Sequence, residues 1–283
     1  MTKNLIIDPI TKKNIELFLK SPFPCVALIG PAGSGKTFIA EFIADGIELP
    51  DTSTISLDAK KSGIDDVREL QKSLKLTTAG DKDIRRVIII SNFDYFGHEA
   101  QNSLLKTLEE PPLDTLIIIT INNESKVLNT IYSRVKKINI RPITKKLASD
   151  TYTNDHSSDE INRAHSLSMG QAGLFVSLLE NKDSHPLVMA INTAKELLKK
   201  SKSTQIAGID KIIKSKEPDF VEIFLDGLFR ILNASYNQMI EKQAKNADIK
   251  TAYKRLVYIN ECIDDVTSGL SKKLALTRLL LKI

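Results

Sequence analysis

Short runs of consecutive apolar residues alternate with longer amphipathic segments over the first half of the chain. The runs are rich in Ile, Val and Leu, which is typical of parallel strands buried on both faces. They lie at Cys25–Ile29, Thr54–Leu57, Val87–Ile90, Leu116–Ile121 and Lys137–Arg141. Because strands and helices alternate, the pattern predicts an α/β fold with a parallel five-stranded sheet that helices cover on both faces.

The segments between these runs have helical periodicity. Residues 63–76 repeat apolar positions on one face, and Asp65 and Asp66 fall in the first turn, where the helix dipole favours acids. Residues 98–110 show a second such stripe, and Pro111-Pro112 predicts its end. The expected ligand site is the edge where the strands end, since open α/β sheets bind ligands beyond the carboxyl ends of their strands.

The pattern changes after residue 142. Residues 143–185 predict a small helical lid domain, with a polar loop over Ser149–Glu160, and residues 186–283 predict an all-helical third domain. The first domain is accordingly expected to span residues 1–142. The predicted helices of the second half are Ile161–Ser168, Ala172–Leu179, Val188–Lys200, Asp219–Lys245, Ile249–Ser268 and Ser271–Lys282.

One motif in the first domain indicates phosphate binding. It fits the P-loop pattern G-x-x-x-x-G-K-[ST] and reads Gly30-Pro31-Ala32-Gly33-Ser34-Gly35-Lys36-Thr37. A predicted strand leads into it and a predicted helix follows, so the positive helix end faces the anion. Lys36 is expected to reach the β and γ phosphates and Thr37 to hold Mg²⁺, which predicts ATP or ADP with Mg²⁺ as the ligand.

Composition restricts the setting of this site. The chain has 283 residues, 42% of them hydrophobic, and lacks both a secretory segment and an apolar run long enough for a bilayer, so a cytoplasmic protein without membrane contact is expected. Its two cysteines, Cys25 and Cys262, have no C-x-x-C neighbour, which argues against zinc. The net charge of +5 comes from lysine clusters that are either solvated helix faces or a surface for the DNA backbone.

The second half of an ATPase site is missing from the sequence. A hydrolysing P-loop protein needs an Asp that holds Mg²⁺ and a carboxylate that orients the attacking water. The strand 87–90 runs instead into Ser91 and Asn92, which are uncharged, and Asp94 comes later. The sequence therefore predicts nucleotide binding with weak or absent hydrolysis.

At this point the chain resembles a known family, the AAA+ clamp-loader subunits of bacterial DNA polymerase III. Their signature N-x-L-L-K-x-L-E-E-P-P is similar to Asn102-Ser103-Leu104-Leu105-Lys106-Thr107-Leu108-Glu109-Glu110-Pro111-Pro112. Residues 61–70 resemble the segment ahead of the Walker B strand, and 116–122 resemble the sensor-1 strand. Residues 130–135 resemble the S-R-C motif, with Val135 in place of Cys. The likeness is specific over about residues 25–142 and weaker beyond.

Within that family the delta-prime type is the nearest in pattern, because gamma/tau and replication-factor-C types normally keep the Walker B acids. The resemblance implies that Gly30 to Thr37 cradle the nucleotide and that Asn122 is the sensor-1 residue. It also implies that Arg134 is an arginine finger for ATP held by a neighbouring subunit. A sensor-2 Arg is missing at Gln171-Ala172-Gly173. The cysteine-rich zinc module that many relatives carry is missing as well, since Glu48-Leu49-Pro50-Asp51 leads directly to the next strand.

The resemblance also implies partners. A delta-prime-like chain would join gamma/tau-type and delta-type subunits in a hetero-pentamer, with its third domain in a collar. The complex would load a sliding clamp onto primed DNA, and the chain would have no polymerase activity of its own. Two alternatives stay open: a hydrolysing gamma/tau-type ATPase that uses Asp94 as its acid, and a stand-alone P-loop kinase, for which the chain shows no Arg-rich lid.

Overall fold

The structure is a computed structural model that describes residues 6–47, 53–75, 83–180, 185–217 and 219–283. The chain divides into two compact units. The first comprises Met1–Leu147 together with Gln171–Gly173, and the second comprises Ala148–Gly170 with Leu174–Ile283. How the second unit divides into lid and third domain stays a prediction.

The first unit contains a five-stranded sheet in the order β2-β3-β4-β1-β5, and all of its pairings are parallel. This confirms the predicted α/β fold. The strands are β1 Cys25–Ile29, β2 Thr54–Asp58, β3 Arg86–Ser91, β4 Thr115–Ile121 and β5 Lys136–Asn139. The three central strands are buried on both faces, as their uninterrupted apolar runs predict.

Helices cover the sheet on both sides. They are α1 Pro9–Lys20, α2 Lys36–Asp45, α3 Ile64–Ser73, α4 His98–Glu109 and α5 Asn129–Tyr132. One apolar cluster joins one sheet face to α3 and α4, with Leu104 at its centre, and a second joins the other face to α1 and α2, with Ile43 at its centre. Helix α1 was not among the predicted elements, and its first turn is capped by the carboxylate of Asp8.

The remainder of the chain is helical. Its helices are α6 Lys145–Tyr152, α7 Ser158–Ser168, α8 Ala172–Leu179, α9 Pro186–Leu198, α10 Lys202–Ile213, α11 Phe220–Glu241, α12 Asn246–Thr267 and α13 Lys272–Lys282. In the second unit α11 packs on both α9 and α12. Gly227 permits the close approach of α9, because an added Cβ there would lie 3.0 Å from the backbone of Ala190 and Ile191.

Two expectations for this half of the chain need correction. The predicted loop Ser149–Glu160 is wrong at both ends, since α6 extends to Tyr152 and α7 begins at Ser158. Ser157 is the cap that decides the second boundary: its Oγ accepts from Glu160 N at 3.3 Å, and the Glu160 carboxylate accepts from Ser157 N at 2.9 Å. Helix α10 lies within the region predicted to be all-helical, but its bounds were not among the predicted helices.

The segment Glu48-Leu49-Pro50-Asp51, where the zinc module was expected to be missing, lies outside the described residues. Among the residues that are described, no helix combines the length and apolar character needed to cross a membrane.

Candidate functional site

The P-loop lies directly after β1, at the carboxyl edge of the sheet. Gly33 and Gly35 adopt left-handed backbone angles, with φ of 85° and 90°, which side chains with a Cβ rarely take. Gly35 then caps α2, which begins at Lys36. The loop therefore has the strand–turn–helix setting that the motif requires, and Thr37 stands exposed in the first helical turn.

Lys36 is folded back onto its own loop. Its Nζ donates to the carbonyls of Gly30 and Pro31 at 2.6 and 2.8 Å and to Ser34 Oγ at 3.2 Å. The residue is only 5% exposed. Burial lowers the pKa of Lys36 to about 8, and the negative charge of Asp94 opposes that shift. All three ammonium hydrogens therefore have partners within the protein.

The ends of β3 and β4 carry no free carboxylate where a hydrolysing site needs one. Asn92 follows β3 in a left-handed conformation with φ of 55°. Its side chain donates to Asp58 Oδ1 at 2.9 Å and accepts from Asn122 Nδ2 at 3.0 Å. Its backbone N–H donates to Thr120 Oγ1. Asn92 is thus the central link of a polar network that joins the ends of β2, β3 and β4.

Asp94 belongs to the same network and is 4% exposed. Its Oδ1 accepts from the backbone N–H of Asn122 at 2.9 Å and from Asn122 Nδ2 at 3.2 Å. Its Oδ2 accepts from the backbone N–H of Asn123 at 3.2 Å. Both carboxylate oxygens therefore hold the turn after β4, which is a structural task.

Asn122 lies beside the P-loop strand, because β4 pairs with β1 and Gly30 N donates to Ile121 O at 3.1 Å. Its amide nitrogen is engaged with Asn92 and Asp94. The tertiary structure thus brings the predicted sensor-1 residue to the carboxyl edge but directs its donor group into the network.

Gln171–Gly173 also pack within the first unit. A Cβ built on Gly173 would lie 2.9 Å from Gly33 O and 3.0 Å from the N and Cα atoms of Gly35. Backbone therefore meets backbone at the segment where the sensor-2 Arg was expected to be missing.

Arg134 lies far from the P-loop in its own chain. It precedes β5, whose Lys136 is in register with Val26 near the beginning of β1, whereas the P-loop follows the end of β1. At about 3.3 Å per residue the two positions are separated by roughly 15 Å along the strands. The structure thus places the predicted finger and the P-loop near opposite ends of the paired strands β1 and β5.

The guanidinium of Arg134 is partly exposed and held at its own surface. Its Nη1 donates to Thr130 O at 2.9 Å and to Ser133 Oγ at 3.1 Å, and its Nη2 lies 3.3 Å from Glu109 Oε2. The side chain is 27% exposed. Its Nε is buried and has no hydrogen-bond partner among the described residues. Glu109 comes from the same Glu109-Glu110-Pro111-Pro112 sequence that carries the family resemblance.

Three contributors escaped the sequence reasoning. Asp58 anchors the polar network, Glu109 pairs with Arg134, and Gly173 packs on the P-loop. Glu109 and Gly173 stand in segments already noted for other reasons, the family signature and the position of the missing sensor-2 Arg. Asp58 lies at the end of β2, and an ordinary Asp there leaves no trace in the pattern.

A P-loop after the second strand from the edge of an all-parallel sheet, followed by a helical region, defines a P-loop domain of the AAA+ type. Comparison then shows which proteins this part of the chain is similar to. A family model described as "DNA polymerase III, delta subunit" matches residues 28–144. These are the residues that hold the P-loop, the polar network and Arg134.

Named relatives agree with that match. The chain is 30% identical over 139 residues to the replication factor C small subunit of Natronomonas pharaonis, covering 48% of this chain and 42% of that protein. It is 28% identical over 160 residues to DNA polymerase III subunit tau of Bacillus subtilis, covering 48% of this chain and 28% of that protein. The chain thus spans less than half the length of these relatives.

The fold extends further than the sequence likeness. A DNA polymerase III gamma subunit-related protein of Thermotoga maritima superposes with a TM-score of 0.53, covering 96% of this chain and 97% of that one at 18% identity. Together the sequence matches confirm the resemblance stated from the sequence: residues 28–144 are similar to clamp-loader subunits.

Proposed function

We propose that this chain is a delta-prime-type clamp-loader subunit that acts in the cytoplasm. It binds nucleotide with Mg²⁺ through Gly30 to Thr37 and supplies Arg134 to ATP on a neighbouring subunit. In this role it joins gamma/tau-type and delta-type subunits in a hetero-pentamer that loads a sliding clamp onto primed DNA. The observation that carries the proposal is the separation of Arg134 from the chain's own P-loop, near the opposite end of the paired strands β1 and β5.

The state of the chain's own site supports this assignment. Ser91 and Asn92 offer no charge at the end of β3, and the nearby Asp94 is buried with both oxygens engaged. A guanidinium fork that is partly exposed can stabilise the charge of a transferring phosphoryl group, whereas a loop without a water-orienting carboxylate supplies binding alone. We therefore expect this chain's own P-loop to bind nucleotide and the ATP site of the neighbouring subunit to cleave it.

The helical unit supports the proposed assembly. Leu274 and Leu281 fall on one face of α13 at helical spacing and are 59% and 61% exposed, and Leu270, which precedes the helix, is 40% exposed. Two nearby cations are paired within the unit: Lys273 lies 2.8 Å from Asp210, and Arg278 lies 3.0 Å from Asp265. Exposed leucines of this kind form a surface that association with another subunit would bury.

The alternative is a hydrolysing gamma/tau-type ATPase that uses Asp94 as its acid. The likeness to the tau subunit of Bacillus subtilis favours it. The hydrogen bonds of Asp94 to the Asn122 and Asn123 amides weigh against it, because a carboxylate that holds a turn is not free to orient water. ATP turnover by the isolated chain on the order of 1 per second, an ordinary enzyme rate, would establish the alternative.

The decisive experiment is single-turnover ATP cleavage by the reconstituted complex with Arg134→Ala in this chain. The site next to this subunit should slow by about 10³-fold, the loss expected for an arginine finger. Arg134→Lys should restore little, because an ammonium lacks the planar fork. Lys136→Ala, an exposed cation two residues on, is the matched control and should cleave at the normal rate. Unchanged cleavage with Arg134→Ala in an assembled complex would refute the finger.

A further inference from the structure

The guanidinium of Arg134 has polar contacts of two kinds. Its Nη1 donates to Thr130 O at 2.9 Å and to Ser133 Oγ at 3.1 Å, and both acceptors lie within four residues of Arg134 along the chain. These bonds fix the side chain relative to its own turn. The contact of Nη2 with Glu109 Oε2 at 3.3 Å is different, because Glu109 is the last residue of α4. Among the described residues, only this carboxylate ties the guanidinium to another element.

Glu109 has a backbone position that packing fixes. Leu104 and Leu108 of α4 are 1% and 3% exposed and belong to the apolar cluster on one face of the sheet. Glu109 follows Leu108 directly, while its own side chain is 57% exposed. A carboxylate on a packed helix is a fixed reference for a long side chain such as that of arginine, and functional groups are held most precisely by such support.

The pairing with Glu109 involves the nitrogen of Arg134 that is best able to reach another molecule. Nε is buried, and Nη1 is used within its own turn. Nη2 carries two hydrogens, and a single carboxylate oxygen takes one of them. The second hydrogen of Nη2 is therefore the donor that an oxygen atom from outside the chain can accept. The position of that hydrogen depends on where Glu109 holds Nη2.

We propose that Glu109 is a positioning residue for Arg134. Its carboxylate holds Nη2 so that the remaining N–H faces the phosphate of ATP on the neighbouring subunit. The inference rests on the proposed function, because it requires that Arg134 act on that ATP. Glu109 itself touches no substrate in this scheme. Its loss would let the guanidinium take other rotamers, and a displacement of about 1 Å can slow a reaction by as much as about 10²-fold.

The test is single-turnover ATP cleavage by the reconstituted complex with Glu109→Ala in this chain, measured over a range of ATP concentrations. At saturating ATP, cleavage at the site next to this subunit should slow by about tenfold, because the finger keeps its charge but loses its orientation. The ATP concentration that gives half the maximal rate should stay the same, since an interaction made only in the transition state changes the rate constant and leaves binding unaffected.

Glu110→Ala is the matched control. Glu110 is the next carboxylate along the chain and is exposed, and the described residues give it no ion pair. Its removal takes the same charge from the same end of α4 without touching Arg134. Cleavage should therefore proceed at the normal rate, which separates the specific pair from a general effect of charge at this surface.

A double-mutant cycle separates positioning from a role in folding or assembly. In a chain that already carries Arg134→Ala, Glu109→Ala should cause no further slowing, because Glu109 acts only through that guanidinium. Unchanged or faster cleavage by the assembled Glu109→Ala complex would overturn the positioning role. A further loss in the Arg134→Ala background, or a shift in the half-saturating ATP concentration alone, would overturn it as well.

The outcome is separable from that of the proposed function. Normal cleavage with Arg134→Ala refutes the finger and its positioning residue together. Slow cleavage with Arg134→Ala and normal cleavage with Glu109→Ala refute the positioning role alone.

Discussion

The carboxyl ends of β1 and β3 lie at the same end of the sheet, but the turns that follow them carry different kinds of residues. The loop after β1 keeps every residue type that phosphate binding requires, including Lys36 and Thr37. The turn after β3 has uncharged residues at Ser91 and Asn92 and forms a network in which Asn92 links Asp58 to Asn122. The difference teaches that binding a phosphate and activating water depend on separate residues, and that a chain can carry the first set without the second.

The largest effect should come from putting a carboxylate back at the end of β3. Asn92→Glu removes the donor to Asp58, adds negative charge near Asp58 and Asp94, and places Glu in a left-handed conformation that costs about 1 kcal/mol. We expect a loss of about 2–4 kcal/mol of unfolding free energy in urea, without a gain in ATP turnover.

The control for that change is Asn102→Glu on the exposed face of α4, where unfolding should shift by less than about 0.5 kcal/mol. A stable Asn92→Glu protein that hydrolyses ATP would contradict this difference between the two turns, because a single carboxylate after β3 would then be enough to activate water.

A smaller effect is expected from Asp94→Asn. An amide keeps one acceptor for the Asn122 N–H but sets an N–H₂ group against the Asn123 N–H, so that partly buried hydrogen bond is lost. We expect about 1–3 kcal/mol lower unfolding free energy. Asp65→Asn, at a 90% exposed carboxylate, should cost less than about 1 kcal/mol. Unchanged stability together with lost ATP turnover would favour the gamma/tau-type alternative.

The smallest expected effect is a change in the protonation of Lys36 when nucleotide binds to the P-loop. Burial lowers the pKa of Lys36 from its ordinary value of 10.5 to about 8, so this lysine is largely neutral in the folded chain above that pH. A phosphate beside it raises the pKa again, so nucleotide binding at about pH 9 should take up part of a proton. Calorimetry in buffers of different ionisation enthalpy measures that uptake.

The same shift has a consequence for folding, and its sign follows from linkage. Between pH 8 and 10.5 the unfolded chain holds a proton on Lys36 that the folded chain has released, so this group makes stability rise with pH over that window. Binding enthalpies that do not depend on the buffer would mean that Lys36 is already protonated in the folded chain before nucleotide binds.

Much of the first unit was predictable, because its signals are local. Apolar runs predicted the five strands, and an eight-residue motif that includes Gly33, Gly35 and Lys36 predicted the P-loop. Some local signals were too weak to give the right boundaries. The Ser157–Glu160 cap lies in a segment predicted as a loop, and the bounds of the short helix α10 were not predicted. A capping pair among many polar residues is a weak pattern unless the helix that it begins is already suspected.

What the sequence determined by itself was the kind of chemistry available: a phosphate loop, a missing pair of acids and an arginine in a family motif. Chain order and residue type fix these, since each depends on neighbours along the chain. Tertiary structure alone decided what each group faces. It turned Asp94 inward to hold a turn, set Glu109 beside Arg134 and brought Gly173 onto the loop from more than a hundred residues away. Packing creates such contacts between segments that are far apart in the chain, and no local sequence pattern predicts them.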